Sequence, residues 1–358
     1  MEFRKELLSK FPVLLLHWNR KSNSRRMPWK GEKEPYKIWL SEIILQQTRV
    51  EQGLKYYQKF VSHFPTIHKL AATRNEKVYK LWEGLGYYTR CKYLIETARF
   101  ISKKLNGNFP DKFENILALK GVGRYTAAAI ASFAYNLPYA VVDGNVFRVL
   151  SRVFGIKKPI ASSEGKKLFT RLAFDLLDKK YPAVYNQALM DFGAVICKPY
   201  PLCSICPFKD YCFAFKNDQV AKLPVKEKRA KITTRWFNYL ILEHNNRFYV
   251  RKRTGHDIWR NLNEFALIET EGDMPPKTIL RIAEKEKILK KKSYSVKSVS
   301  PLYSQQLSHQ KIIGKFIRVS LENQVVPAGY KLVSVKQMFR LAFPRIITSY
   351  FEKGLHND

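Results

Sequence analysis

Long apolar runs are missing from this chain. The longest candidate, Thr126 to Val142, is interrupted by Asn136 and Pro138 and falls short of what a membrane-spanning helix requires. A secretory leader is missing as well: Met1 to Trp18 mixes charges and carries only the brief apolar stretch Phe11-Pro-Val-Leu-Leu-Leu16. A soluble, cytoplasmic protein with no membrane partner is expected. Cysteine is scarce, five in 358 residues, and without an oxidising compartment structural disulfides are set aside. Acidic residues are few, 30 Asp and Glu against 64 Lys and Arg, for a formal net charge of +34. A chain this basic is drawn to polyanions, and salt weakens such binding. The excess is spread along the chain and is not a tail, so a lysine-rich bias on solvated helix faces competes as its explanation. No internal repeat is present. Apolar residues make up 46%, which excludes disorder throughout, and the length accommodates two or three domains.

Residues 1–215 read as helical, with little strand-like alternation. Pro35 suits the first turn of a helix through Ile38, Leu40, Ile43, Ile44 and Leu45 towards Tyr56 and Phe60, ending near Pro65. Asp111 and Glu114 have the spacing of a capping pair before Phe113, Ile116, Leu117 and Leu119. Residues 216–235 are polar and basic, contain Pro224 and read as a linker. Residues 236–358 then read as a smaller α+β domain. Within it, Trp236 to Leu242 and Arg247 to Arg253 flank His244-Asn-Asn246 as a hairpin, and Lys315 to Leu321 is a further strand. Lys277 to Lys291 and Val335 to Leu341 are expected helices.

Four of the cysteines, Cys197, Cys203, Cys206 and Cys212, fall within sixteen residues. Thiolates so spaced suit a tetrahedral zinc or an iron–sulfur cluster, and spacing alone does not choose between them. Cys91, far away, is expected to be a buried apolar residue. A second segment with specific chemistry is Leu119-Lys-Gly-Val-Gly-Arg-Tyr-Thr-Ala-Ala-Ala-Ile130. Glycines at a tight turn let backbone approach a ligand, and the following helix start offers free N–H groups to an anion such as a DNA phosphate. An ordinary helix–helix turn explains the glycines equally well.

This segment resembles the helix-hairpin-helix element of the DNA glycosylase superfamily, and the resemblance extends in order along most of the chain. Val141-Val-Asp-Gly-Asn-Val-Phe-Arg-Val149 supplies Asp143 where that superfamily has its aspartate. The cysteine run follows where iron–sulfur glycosylases carry a [4Fe-4S] loop, which favours a cluster over zinc. The implied fold is a mainly α N-terminal helix-hairpin-helix glycosylase domain with an iron–sulfur loop, plus an α+β Nudix-like C-terminal domain. The endonuclease III branch carries a lysine nucleophile where this chain has Tyr125, and a phenol cannot form the Schiff base that strand cleavage needs. Met27-Pro-Trp-Lys30 and Trp39-Leu-Ser-Glu-Ile-Ile-Leu-Gln-Gln-Thr-Arg-Val50 are similar instead to the MutY-like adenine glycosylase branch, whose catalytic glutamate falls at Glu42.

That likeness implies roles residue by residue. Glu42 among Trp39, Ile43, Ile44 and Leu45 is expected to have a raised pKa and to protonate adenine N7. Asp143, before a helix start, is expected to stay ionised and to stabilise the oxocarbenium-like sugar, with Asn145 supporting it or the water. As bare residues, without the family pattern, Glu42 reads as a solvated position on a helix face and Asp143 as an N-cap. Arg26, Trp29, Tyr125, Gln187 and Met190 match the adenine pocket. Gln47 and Thr48, with Leu85 and Tyr87, match the segments that enter the duplex around a flipped base. Gly121, Val122 and Gly123 match the phosphate-binding hairpin, and Ser308 and His309 in Gln306-Leu-Ser-His309 the loop that reads 8-oxoguanine. The Nudix-like segment Ile279 to Lys292 lacks the glutamate-rich helix a pyrophosphate hydrolase needs.

Two departures stand out. Five residues separate Cys197 from Cys203 where the family has six, and Lys30 replaces a common arginine. The implied activity is monofunctional removal of adenine opposite 8-oxoguanine or guanine in double-stranded DNA, by a monomeric, bacterial, nucleoid-associated enzyme. The competing readings are a bifunctional glycosylase/lyase and a non-catalytic DNA-binding protein stapled by metal.

Overall fold

The computed structural model describes residues 5–226, 232–323 and 329–354. They fall into two compact units, one from Met1–Ala71 and Glu96–Lys228, the other from Ala72–Ile95 and Arg229–Asp358. No helix among the described residues is long and apolar enough to cross a membrane.

The first part of the chain is helical. Its elements run α1 Lys5–Ser22, α2 Pro35–Leu45, α3 Val50–His63, α4 Ile67–Ala72, α5 Asn75–Trp82 and α6 Tyr88–Lys104. They continue with α7 Phe113–Leu117, α8 Arg124–Tyr135, α9 Gly144–Phe154, α10 Ser163–Asp175, α11 Pro182–Val195 and α12 Phe213–Lys216. On α1, Leu7, Phe11, Leu15 and Trp18 recur at three- and four-residue steps and form one buried stripe. That stripe packs on Val146, Val149, Leu150 and Val153 of α9 and on Tyr185, Leu189 and Phe192 of α11. The cysteine segment joins the same core. Phe208, fully buried, stacks on Phe11 at 4.6 Å and meets Phe192 edge-on at 5.1 Å.

Two helical expectations are corrected. The helix starting at Pro35 stops at Leu45, because Gln47 takes a left-handed φ of 54° and α3 starts afresh at Val50. Asp111 and Glu114 do not cap α7; the helix begins at Phe113 after Lys112 with no side-chain cap, leaving Asp111 one residue too early.

The second unit is built on a mixed eight-stranded sheet, with β1 Thr233–His244, β2 Arg247–Lys252, β3 Asn263–Glu264 and β4 Ala266–Thr270. The later strands are β5 Tyr294–Val299, β6 Tyr303–Gln306, β7 Gln310–Leu321 and β8 Lys331–Ser334. β1 lies parallel to β7 and antiparallel to β2 and β4. Seven successive buried residues, Phe237 to Glu243, mark β1 as covered on both faces. The β1–β2 hairpin turns on Asn245 and Asn246, both left-handed (φ 49° and 55°), as a tight primed turn requires. The helices here are α13 Pro276–Lys285, α14 Val335–Met338 and α15 Arg345–Gly354. α13 and α14 are shorter than expected: Lys287 turns left-handed after α13, and α14 is one capping-box turn from Ser334 to Gln337. Residues 72–95, expected within the helical region, bond to this unit: Lys80 donates to the Leu341 carbonyl (3.0 Å) and Glu83 accepts from the Phe343 amide (2.8 Å).

Gly193 of α11 sets how closely α9 approaches. A Cβ there would lie 2.7 Å from the Asn145 Cβ and 3.0 Å from its carbonyl oxygen. Gly193→Ala should therefore lower stability by about 1–3 kcal/mol in denaturant unfolding. Gly123→Ala, whose Cβ would meet nothing within 4 Å, should leave it unchanged.

Candidate active site

A pocket of about 530 Å³ opens where the end of α2, the start of α8, the start of α9 and the middle of α11 meet. Glu42, Tyr125, Asp143, Asn145, Trp29, Gln47, Thr48, Gln187 and Met190 line it. Arg26 does not line it and is exposed; its neighbour Arg25 takes the place at the wall. The break after α2 is what turns Gln46, Gln47 and Thr48 towards the pocket, and Gln46 ties this turn to α8 by donating to Thr126 Oγ1 at 3.1 Å. Trp29 is held edge-on against Tyr57, with ring centroids 5.4 Å apart.

The two carboxyl groups face opposing influences. Glu42 is buried, and desolvation pushes its pKa up to about 7, reinforced by nearby Asp143 and resisted by a hydrogen bond from Tyr125. Asp143 is the N-cap of α9: its Oδ1 accepts from the Val146 amide and its Oδ2 from Asn145 Nδ2, both at 2.8 Å. These donors hold its carboxylate down, but burial outweighs them, so its pKa also lies above the ordinary value. The amide donors and helix start expected to keep Asp143 ionised are present, and burial opposes them. Tyr125, partly buried beside both carboxyls, has its phenol pushed well up by desolvation and is a hydrogen-bond donor at neutral pH.

Below Asp143, two arginines one turn apart on α9 reach the cysteine segment. Arg148 donates to Asn145 Oδ1 (2.8 Å), to the Gly193 carbonyl (2.7 Å) and to the Cys197 carbonyl (2.7 Å). Arg152 holds the carbonyls of Lys198 (2.6 Å) and Pro199 (3.0 Å) and lies 3.6 Å from Cys197 Sγ. Cys197, Cys203, Cys206 and Cys212 all line one hollow with Phe192, Ile196 and Leu202. Among the described residues no three His, Cys, Asp or Glu side chains gather as a ligand set for a single ion. Burial pushes the Cys206 thiol up to about 12, so thiolates in this hollow need a cation to hold them ionised. Four thiols around an apolar hollow with the buried Arg152 behind it fit a multi-iron cluster. Cys91 is fully buried, as expected.

Gly121 and Gly123 are exposed on either side of buried Val122 in the α7–α8 turn; Gly121 has a left-handed φ of 78° and Gly123 opens α8 without a side-chain cap. In the sheet unit, Leu85 is buried, and half-exposed Tyr87, left-handed at φ 47°, hydrogen-bonds through its hydroxyl to Ser308. Ser308 and His309 are exposed at the β6–β7 turn, whose base is closed by the Leu307 amide donating to the Gln310 carbonyl (2.7 Å).

Residues missed in the sequence include Asp191, Arg25 and Gln46. Asp191, at zero side-chain exposure, bonds Arg25 and Lys30, both at 2.8 Å. It is the lone charged residue of α11, which was the available signal. Lys30, in place of the common arginine, keeps this pairing.

Residues 40–173 match the model of the HhH-GPD superfamily base excision DNA repair protein. The adenine DNA glycosylase of Buchnera aphidicola subsp. Acyrthosiphon pisum (strain APS) is 38% identical over 253 residues, 70% of this chain and 72% of that protein. The Homo sapiens adenine DNA glycosylase is 41% identical over 210 residues, 56% of this chain and 38% of that protein. A solved thermostable thymine-DNA glycosylase superposes with a TM-score of 0.55 at 29% identity, covering 59% of this chain and 98% of that one. An endonuclease III–DNA complex shares the fold, with a TM-score of 0.53 at 19% identity over 61% of this chain and 99% of that one.

Folding raises the Glu42 pKa from 4.5 to about 7, so between those values the folded protein keeps a proton that the unfolded chain has lost. Stability therefore falls as pH rises through that window, by roughly 3 kcal/mol at most. Glu42→Gln should flatten this part of the stability–pH curve and be the more stable protein at pH 8, measured by thermal unfolding. Tyr125→Phe removes the bond that resists the rise and should extend the decline to higher pH.

Proposed function

The chain belongs to the adenine DNA glycosylase family of base excision repair, within the HhH-GPD superfamily, and from that premise we propose how its residues divide the reaction. The enzyme binds DNA and hydrolyses an N-glycosyl bond. The observation that carries the assignment is the pairing, in one pocket, of a buried Glu42 whose pKa lies near neutrality with an Asp143 held by two directed donors.

Protonated Glu42 donates to adenine N7, which turns the base into a better leaving group as the bond from C1′ to N9 breaks. Tyr125 donates to the Glu42 carboxylate left behind. Ionised Asp143 faces the positive charge that develops on the sugar, and Asn145 fixes its orientation. Water adds at C1′, and its proton returns to Glu42. Trp29, Arg25, Gln187 and Met190 enclose the flipped base, with Gln47 and Thr48 at the pocket mouth. The turn at exposed Gly121 and Gly123, with the start of α8, takes a phosphate, while the Val122 amide is spent on the Leu119 carbonyl.

The substrate is adenine opposite 8-oxoguanine or guanine, with exposed Tyr87 entering the duplex from a turn that buried Leu85 supports, and Ser308 and His309 reading the opposing base. One chain carries all of these parts, so a monomer suffices. Cys197, Cys203, Cys206 and Cys212 would hold a [4Fe-4S] cluster, whose contribution is structural: it clamps the 197–212 segment. The alternative lyase activity lacks its amine, because Tyr125 stands at the nucleophile's position.

A duplex with a single adenine opposite 8-oxoguanine tests this. Strand breaks should appear only after hot alkali; breaks without alkali would establish the lyase instead. Glu42→Gln should lose excision by about 100-fold or more while retaining duplex affinity. Protein purified without oxygen should be brown and contain about four iron atoms per chain, and zinc in a colourless protein would overturn the cluster.

A further inference from the structure

Asp191 is a buried carboxylate that the reaction as described does not use. All four of its acceptor positions are filled. Oδ1 accepts from Arg25 (2.8 Å) and from Gln187 Nε2 (3.0 Å); Oδ2 accepts from Lys30 (2.8 Å) and Asn23 Nδ2 (3.0 Å). Two of these donors, Arg25 and Gln187, line the pocket, whereas Asp191 itself does not.

We propose that Asp191 is a positioning residue that fixes which end of the Gln187 amide faces the pocket, and so makes the site select a 6-amino purine over a 6-oxo purine. An ionised carboxylate only accepts hydrogen bonds, so Gln187 must turn its NH₂ end to Asp191. The two residues are one helical turn apart on α11, which keeps them in register. The carbonyl oxygen of Gln187 accepts no hydrogen bond from the described residues and is the end left for a ligand. A carbonyl there suits the exocyclic N–H of adenine and opposes the O6 of hypoxanthine or guanine. Free rotation of the amide would erase this distinction, since its two ends are nearly the same size. The salt bridges to Arg25 and Lys30 hold Asp191 in place, in a helix that carries no other charged residue.

The inference rests on the pocket being the adenine site. Single-turnover excision is compared on duplexes carrying one adenine or one hypoxanthine opposite the same base. In Asp191→Asn, one of the two oxygens becomes an NH₂ that accepts nothing, the anion that fixes the Gln187 amide is gone, and that amide is free to turn. The adenine-to-hypoxanthine rate ratio should fall roughly tenfold or more relative to the unaltered enzyme. Gln187→Leu should lower the ratio as well, and Asp191→Asn added to it should lower the ratio no further. A clamp that merely supports the fold would slow both substrates alike and leave the ratio unchanged, which overturns the proposal. Should Asp191→Asn fail to fold, the unaltered enzyme decides: non-cleavable 2′-fluoro duplexes carrying adenine, unsubstituted purine or hypoxanthine should bind in that descending order. Hypoxanthine binding at least as tightly as purine sinks the idea. Failure to excise adenine at all would refute the pocket assignment itself, and is thereby distinguished from failure of this inference.

Discussion

The site depends on α9 being held at a fixed distance from α11. Asp143 caps α9, Asn145 lies in its first turn, and Arg148 and Arg152 follow at one-turn intervals, so a single helix carries the Asp143 carboxylate and the grip on the cysteine segment. Arg148 needs three acceptors at once: a side chain on its own helix, a carbonyl of α11 and the Cys197 carbonyl. They converge only because Gly193 has no side chain to push the helices apart. Buried guanidinium groups are costly unless fully bonded, so this network tolerates one arrangement and rejects displaced ones.

Desolvation raises both carboxyl groups and is resisted differently at each. At Glu42 it is resisted mainly by one phenol, and a proton is retained near neutral pH, which is what an acid for a purine nitrogen requires. At Asp143 two directed donors resist it, from the Val146 amide and from Asn145. Both groups are raised, and their roles are separated by the number of donors each receives. Asp191 shows hydrogen-bond saturation in another form: at zero exposure, its carboxyl group is surrounded by two cations and two amides.

The motifs with short, local spacing were legible. Cys197 to Cys212, Gly121 to Gly123, Asp143 before α9 and the hairpin at Asn245 and Asn246 each depend on neighbours a few residues away. The stop of α2 at Leu45 was not legible: the residues from 46 to 49 contain no glycine or proline, and the left-handed Gln47 is held by the bond from Gln46 to Thr126, eighty positions along the chain. Arg25 and Arg26 look alike in sequence, and only the carboxylate of Asp191, on another helix, draws Arg25 inward.

The sequence alone determined the family, the identity of the candidate acid and its aspartate partner, the four thiols and the tyrosine that replaces an amine. These are matters of residue type at a spacing, and chemistry of that kind survives without coordinates. The tertiary structure decided the upward shift of both carboxyl pKa values, the arginine that reaches the pocket, the bond from Gln187 to Asp191, and the tie from α9 to Cys197. The physical reason is that desolvation and hydrogen-bond saturation are sums over everything packed around a group, and most of what surrounds these side chains comes from distant parts of the chain.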